Sequence, residues 1–136
     1  VLFVPIFAEY RFYVMHARGV CRMVETTDEF DIDLDRLEGA IGPRTRAVLI
    51  NSPNNPTGRV YPEETIRVLC ELLTRKSKQF GRPIVLITDE PYRMLTYDGV
   101  SVPRVMPHYP ATIGISSFSK DLGLAGERIG YLIVHP

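Results

Sequence analysis

The chain has 136 residues, 45% of them hydrophobic and 24% charged, which supports one globular core and leaves little room for a second. Sixteen basic and sixteen acidic residues cancel, so nothing in the charge balance selects for nucleic acid or an anionic membrane. The longest apolar runs, Ala47–Ile50 and Ile84–Ile87, are far too short to span a bilayer.

Val1–Val4 reads as the inside of a strand, with no initiator Met, so the chain is expected to be a piece of a longer protein. A helix is expected from about Glu9 to Ala17, stopped at Gly19, followed by a strand over Val20–Glu25. Asp33 supplies an N-cap for a short helix through Ile41, with Leu34, Leu37 and Ile41 on one face. Arg46–Asn51 is a compact β run that ends in a Pro/Asn/Gly-rich loop, Ser52–Gly58. The longest helix should start near Pro62, carry Ile66, Leu69, Leu72 and Leu73 on its apolar side and stop at Gly81. Ile84–Thr88 is a continuous apolar run, the pattern of a strand buried on both faces. Thr112–Ser117 and Ile129–Val134 are the last two strands.

Strands separated by helical stretches imply βαβ units. The fold class is therefore α/β, a mainly parallel doubly wound sheet with flanking helices. The eleven residues between Ser117 and Ile129 hold Gly123 and Gly126 and show no helical stripe. A parallel crossover needs about a dozen residues or more, so the last strand is expected to be antiparallel. Cys21 and Cys70 are too few for a disulfide framework and lack metal-ligand spacing. No secretory leader pattern is visible, and the expected location is the cytoplasm.

Ligands of open α/β sheets gather beyond the carboxyl ends of the strands. Ser52-Pro53-Asn54-Asn55-Pro56-Thr57-Gly58 follows one strand and Asp89-Glu90-Pro91-Tyr92 the next. Ser117-Phe118-Ser119-Lys120 follows a third, with Arg128 eight residues beyond the lysine. Each residue has a commonplace alternative. Lysine is usually solvated, and an Asp after a strand can cap a helix. A Tyr there is usually packing, and an Asn in a Pro-rich loop forms a turn. Arg128 could pair with Glu127 or Asp121, which would contribute little. The co-location of polar groups at three neighbouring strand ends favours the chemical reading.

Asn-Pro-Thr-Gly, Asp-x-x-Tyr, Ser-x-Ser-Lys and the later Arg stand in the order and spacing of the class I/II, fold-type I aminotransferases that depend on pyridoxal phosphate (PLP). The resemblance covers essentially the whole chain. The opening Pro5-Ile6-Phe7-Ala8-Glu9-Tyr10 is similar to the family's Pro-x-aromatic-Pro-x-Tyr, with Ala8 in place of the second proline. The resemblance implies that Lys120 is the Schiff-base lysine, partly buried beside Arg128, and that Asp89 pairs with the pyridine nitrogen. It implies that Tyr92 and Asn55 hydrogen-bond the phenolic oxygen, that Ser117, Ser119 and Arg128 hold the phosphate, and that the Asn55–Pro56 bond is cis. Gly123, Gly126 and Gly130 are expected to let the backbone turn tightly around the site.

By the same resemblance, residues 1–136 form the central part of the PLP-binding large domain. The glycine-rich phosphate loop, the ring-stacking aromatic and the arginine for the substrate carboxylate belong to an N-terminal segment and a C-terminal small domain outside them. The expected substrates are an amino acid and a 2-oxo acid, in a homodimer, without metal, nucleic acid or membrane. Carbon–sulfur lyases, aminocyclopropane carboxylate synthase-like enzymes and aminotransferase-like sensor domains of transcription regulators share these motifs and are the alternatives.

Overall fold

Short runs of β-branched residues alternate with amphipathic stretches, and the computed structural model, which describes residues 1–135, folds them accordingly. The strands are β1 (Leu2–Val4), β2 (Met23–Glu25), β3 (Ala47–Asn51), β4 (Val85–Asp89), β5 (Thr112–Ser117) and β6 (Gly130–Val134). The helices are α1 (Glu9–His16), α2 (Leu34–Ala40), α3 (Glu63–Gln79) and the single turn α4 (Phe118–Asp121), which follows β5 directly.

All six strands join one sheet in the order β2-β1-β3-β4-β5-β6. The first five pair in parallel and β6 pairs antiparallel with β5, as the short glycine-bearing link requires. The order reverses between β1 and β3, which is the doubly wound arrangement. Right-handed crossovers then put α1 on one face of the sheet and α2 and α3 on the other. The core follows the second of these faces: Leu37 of α2 and Ile66, Leu69 and Leu73 of α3 join Val48, Ile50 and Leu86 in one buried cluster.

Local chemistry sets the start of α2 and the end of α3 where the sequence calls for them. The Asp33 carboxylate accepts from the Arg36 N–H at 2.9 Å and caps α2. At the end of α3, Gly81 takes φ +65°, Arg82 N–H donates to Ser77 O and Gly81 N–H to Lys78 O. That is the Schellman stop, and its left-handed residue favours glycine. Pro62 sits one position outside α3, in extended conformation. The second strand is shorter than expected, because Val20 is 93% exposed and lies outside β2.

One expectation about the sheet is corrected. β4 is not buried on both faces: Leu86 and Thr88 are buried under the helical layer, while Val85, Ile87 and Asp89 are only half-buried on the opposite face. The link before β6 holds only α4 and a 3-10 turn at Ala125–Glu127, neither with a buried residue, so no amphipathic helix crosses it. β6 itself is exposed along its whole length. At Gly130 a Cβ would lie 2.8 Å from the Ser116 carbonyl, so only glycine permits this pairing distance. Gly123 has φ +68°, whereas Gly126 has neither a positive φ nor a crowded Cβ position.

Candidate functional site

Parallel pairing of β3 with β4 and of β4 with β5 brings three carboxyl ends side by side: Asn51 is in register with Asp89, and Asp89 with Ile115. The loop Ser52–Gly58 leaves β3 and is braced from within. Asn54 is buried, and its side-chain oxygen accepts from the Thr57 N–H at 3.1 Å and the Thr57 hydroxyl at 2.9 Å. The Asn55–Pro56 bond is cis, as expected, and so are Val4–Pro5 and Ser52–Pro53.

The structure brings Asn55 and Tyr92 together, with the Asn55 amide nitrogen 3.5 Å from the Tyr92 hydroxyl. Asp89 is the last residue of β4, half-buried, and no helix follows it, so it is not a helix cap. Burial pushes its carboxyl pKa up, a hydrogen bond from the Tyr10 hydroxyl to Oδ2 opposes the rise, and neighbouring Glu90 adds to it. Tyr10 is buried at the start of α1, and burial together with the Asp89 carboxylate pushes its phenol pKa well above the ordinary value. Ser117, Ser119 and Arg128 line one open cavity of about 490 Å³ beside β5 and β6.

Arg128 adopts the left-handed conformation, φ 54°, and spends one N–H on the Ala125 carbonyl at 2.9 Å. Among the described residues no carboxylate lies within salt-bridge distance of its guanidinium, so the pairing with Glu127 or Asp121 is not made. Lys120 stands on α4 and is exposed, not partly buried as expected.

The sequence reading missed two polar residues that organise this region. Asn51 is 4% exposed; its amide donates to the Asp89 carbonyl at 2.9 Å and accepts the Asn55 N–H at 2.7 Å. Glu90, one residue past β4, accepts from Thr88 at 2.8 Å and pairs with Arg93, while its carbonyl takes the Ser116 hydroxyl at 3.0 Å. Arg93 in turn donates to the Val102 and Pro103 carbonyls at 2.8 and 2.7 Å. Their only sequence signal is position: a polar residue that ends an apolar strand, as Asn51 does, or directly follows one, as Glu90 does, needs partners of its own.

A half-buried carboxylate with one oxygen not engaged by Tyr10, an amide–phenol pair, and two hydroxyls with an arginine around one cavity form an anion- and heteroaromatic-binding set at the end of an α/β sheet. These groups fit PLP, with a ring nitrogen, a phenolic oxygen and a phosphate to be met separately. Among the described residues no group of three His, Cys, Asp or Glu could hold a metal ion, and no helix is long and apolar enough to cross a membrane.

The family model for aminotransferase class I and II matches residues 1–136, and the chain belongs to that family. Enzymes of the family depend on pyridoxal phosphate. An aspartate/prephenate aminotransferase of Thermus thermophilus is 39% identical over 131 residues, covering 93% of this chain and 32% of that protein. A histidinol-phosphate aminotransferase of Dehalococcoides mccartyi is 36% identical, covering 97% of this chain and 34% of that protein. Among solved structures, an amino transferase from Eubacterium rectale superimposes with a TM-score of 0.91 at 51% identity, over 97% of this chain and 33% of that one. The Thermus thermophilus aspartate aminotransferase with maleate gives 0.86 at 36% identity, over 98% and 34%. The chain thus spans about a third of the length of these relatives.

Proposed function

We propose that the chain is the central part of the PLP-binding large domain of an aminotransferase that moves an amino group between an amino acid and a 2-oxo acid. The observation that carries this reading is the convergence at three adjacent strand ends of Asp89, the Asn55–Tyr92 pair and the Ser117–Ser119–Arg128 cavity. When bound, PLP supplies an aldehyde that accepts the amino group and a ring that withdraws electrons.

The chain's own residues do the rest. Lys120 Nζ would hold the cofactor through its aldehyde and, as a free amine, would move the proton at the substrate's Cα. Asp89 keeps a proton on the ring nitrogen, and a half-buried carboxylate does this better than a solvated one because less water screens it. Asn55 and Tyr92 donate to the phenolic oxygen and stabilise it as an anion. Arg128 offers its planar fork, and Ser117 and Ser119 their hydroxyls, to the phosphate. The names of the relatives, aspartate/prephenate and histidinol-phosphate aminotransferases among them, support amino-group transfer over the lyase and regulator alternatives. The family resemblance supports a homodimer, and the two unpaired cysteines agree with a reducing cytoplasm.

The test uses the full-length protein. It is loaded with PLP, reduced with borohydride and digested, and the pyridoxyl label is located by mass spectrometry. The label falls on Lys120 and not on Lys76 or Lys78 of α3, and Lys120→Ala folds but loses both the visible band and turnover. A label elsewhere, or a Lys120→Ala protein with normal band and turnover, would overturn the reading.

A further inference from the structure

The geometry points to Asn51 as a positioning residue that sets the spacing between Asn55 and Asp89, and hence between the donor to the phenolic oxygen and the acceptor for the ring N–H of a bound pyridine cofactor. This rests on the aminotransferase reading above. Asn51 ends β3, in register with Asp89 on β4. Its amide is used at both ends: Nδ2 donates to the Asp89 carbonyl at 2.9 Å and Oδ1 accepts the Asn55 N–H at 2.7 Å. The Asp89 carbonyl also takes the Ser52 N–H at 3.3 Å. One planar amide therefore ties the backbone under Asp89 to the backbone of Asn55 across two strand ends.

The tie is short and stiff. Asn51 is 4% exposed, so neither hydrogen bond is exchanged cheaply for water. The carboxylate of Asp89 is held from another direction by Tyr10, so backbone and side chain of Asp89 have independent anchors. Only an amide of this length supplies a donor to one backbone and an acceptor to the other. A leucine of similar shape supplies neither, and an aspartate supplies the acceptor alone. Small displacements of binding groups cost much in a site that must meet several atoms of one rigid ring.

The experiment uses the full-length protein and PLP itself as the probe. Asn51→Leu is expected to weaken PLP binding about tenfold. It is also expected to raise the pH midpoint of the bound cofactor's visible band by about one unit, because a displaced Asn55 stabilises the phenolic anion less. Asn51→Asp keeps the acceptor for Asn55 and loses the donor to Asp89, and it too weakens PLP binding; it carries the test if the leucine variant does not fold. In an Asn55→Ala background, Asn51→Leu should move the midpoint no further, because Asn51 acts on it through Asn55. The proposal is overturned if both Asn51 variants bind PLP with unaltered affinity and midpoint, whatever their thermal stability, or if the midpoint effects of Asn51→Leu and Asn55→Ala add. An unmodified protein that forms no Lys120-linked visible band defeats the aminotransferase reading, and this proposal with it. A normal band that ignores Asn51 defeats this proposal alone.

Discussion

Replacing Tyr10 with phenylalanine removes one hydroxyl from the site and leaves the ring, whose edge-on contact with Phe7 (centroids 5.5 Å apart, planes at 82°) is kept. The lost hydroxyl is the donor to Asp89 Oδ2. A hydrogen bond to an ionised group contributes about 1.5–3 kcal/mol, and because Asp89 is only half-buried the lower end, about 1.5 kcal/mol, is expected at neutral pH. The pH dependence has a definite sign. Burial raises the Asp89 pKa from 3.8, and the Tyr10 bond, which favours the ionised form, restrains that rise. Without the bond the carboxyl climbs further. A carboxyl whose folded pKa lies above its unfolded value binds more protons when folded, so stability falls as pH rises from about 3.8 through the raised folded value. Tyr10→Phe therefore widens that window and destabilises more at neutral pH than near pH 4. The assay is a carbon-13 carboxyl titration of Asp89 in the cofactor-free full-length protein, with thermal unfolding at both ends of the window. An Asp89 pKa that is unchanged or lower in the variant, or an equal stability loss at both pH values, refutes the reasoning.

Other consequences are simpler to check. Arg75 and Lys76 hold the Glu38 carboxyl down at about 2, so that exposed cluster contributes stability above pH 4.5 that is lost as pH falls toward 2; Glu38→Gln and added salt should both flatten the acid limb of a stability–pH profile. Leu73→Ala, at a fully buried position in the α3 interface, should cost about 2–5 kcal/mol in denaturant unfolding without altering where the borohydride label falls. Arg93→Ala releases the Val102 and Pro103 carbonyls and unpairs Glu90, and should speed amide hydrogen exchange across residues 94–103 well before it affects α3. The 136-residue chain alone, about a third of the length of its relatives, should show no appreciable amino-group transfer with PLP; turnover at an enzyme-like rate would contradict the proposed division of the site.

Much of this protein follows from relations between near neighbours in the chain. The spacing of Ile66, Leu69 and Leu73 makes α3 and selects its buried face, because side chains three and four apart share one side of a helix. Asp33 and Gly81 set helix limits through bonds that reach only three to five residues. The brevity of the link from Ser117 to Ile129 makes β6 antiparallel, and the motifs around Asn55, Asp89, Tyr92 and Lys120 mark strand ends that the sheet does align. What only the tertiary structure decided is where polar groups find partners at long range. Nothing in the string joins Tyr10 to Asp89, 79 residues away, or joins the two ends of the Asn51 amide to different segments. The half-open face of β4 and the exposure of Lys120 were equally hidden, since an apolar run reads the same whether one layer covers it or two. Local periodicity is written in adjacent residues, whereas burial and hydrogen-bond partnership belong to pairs that meet only when the strands take their order in the sheet.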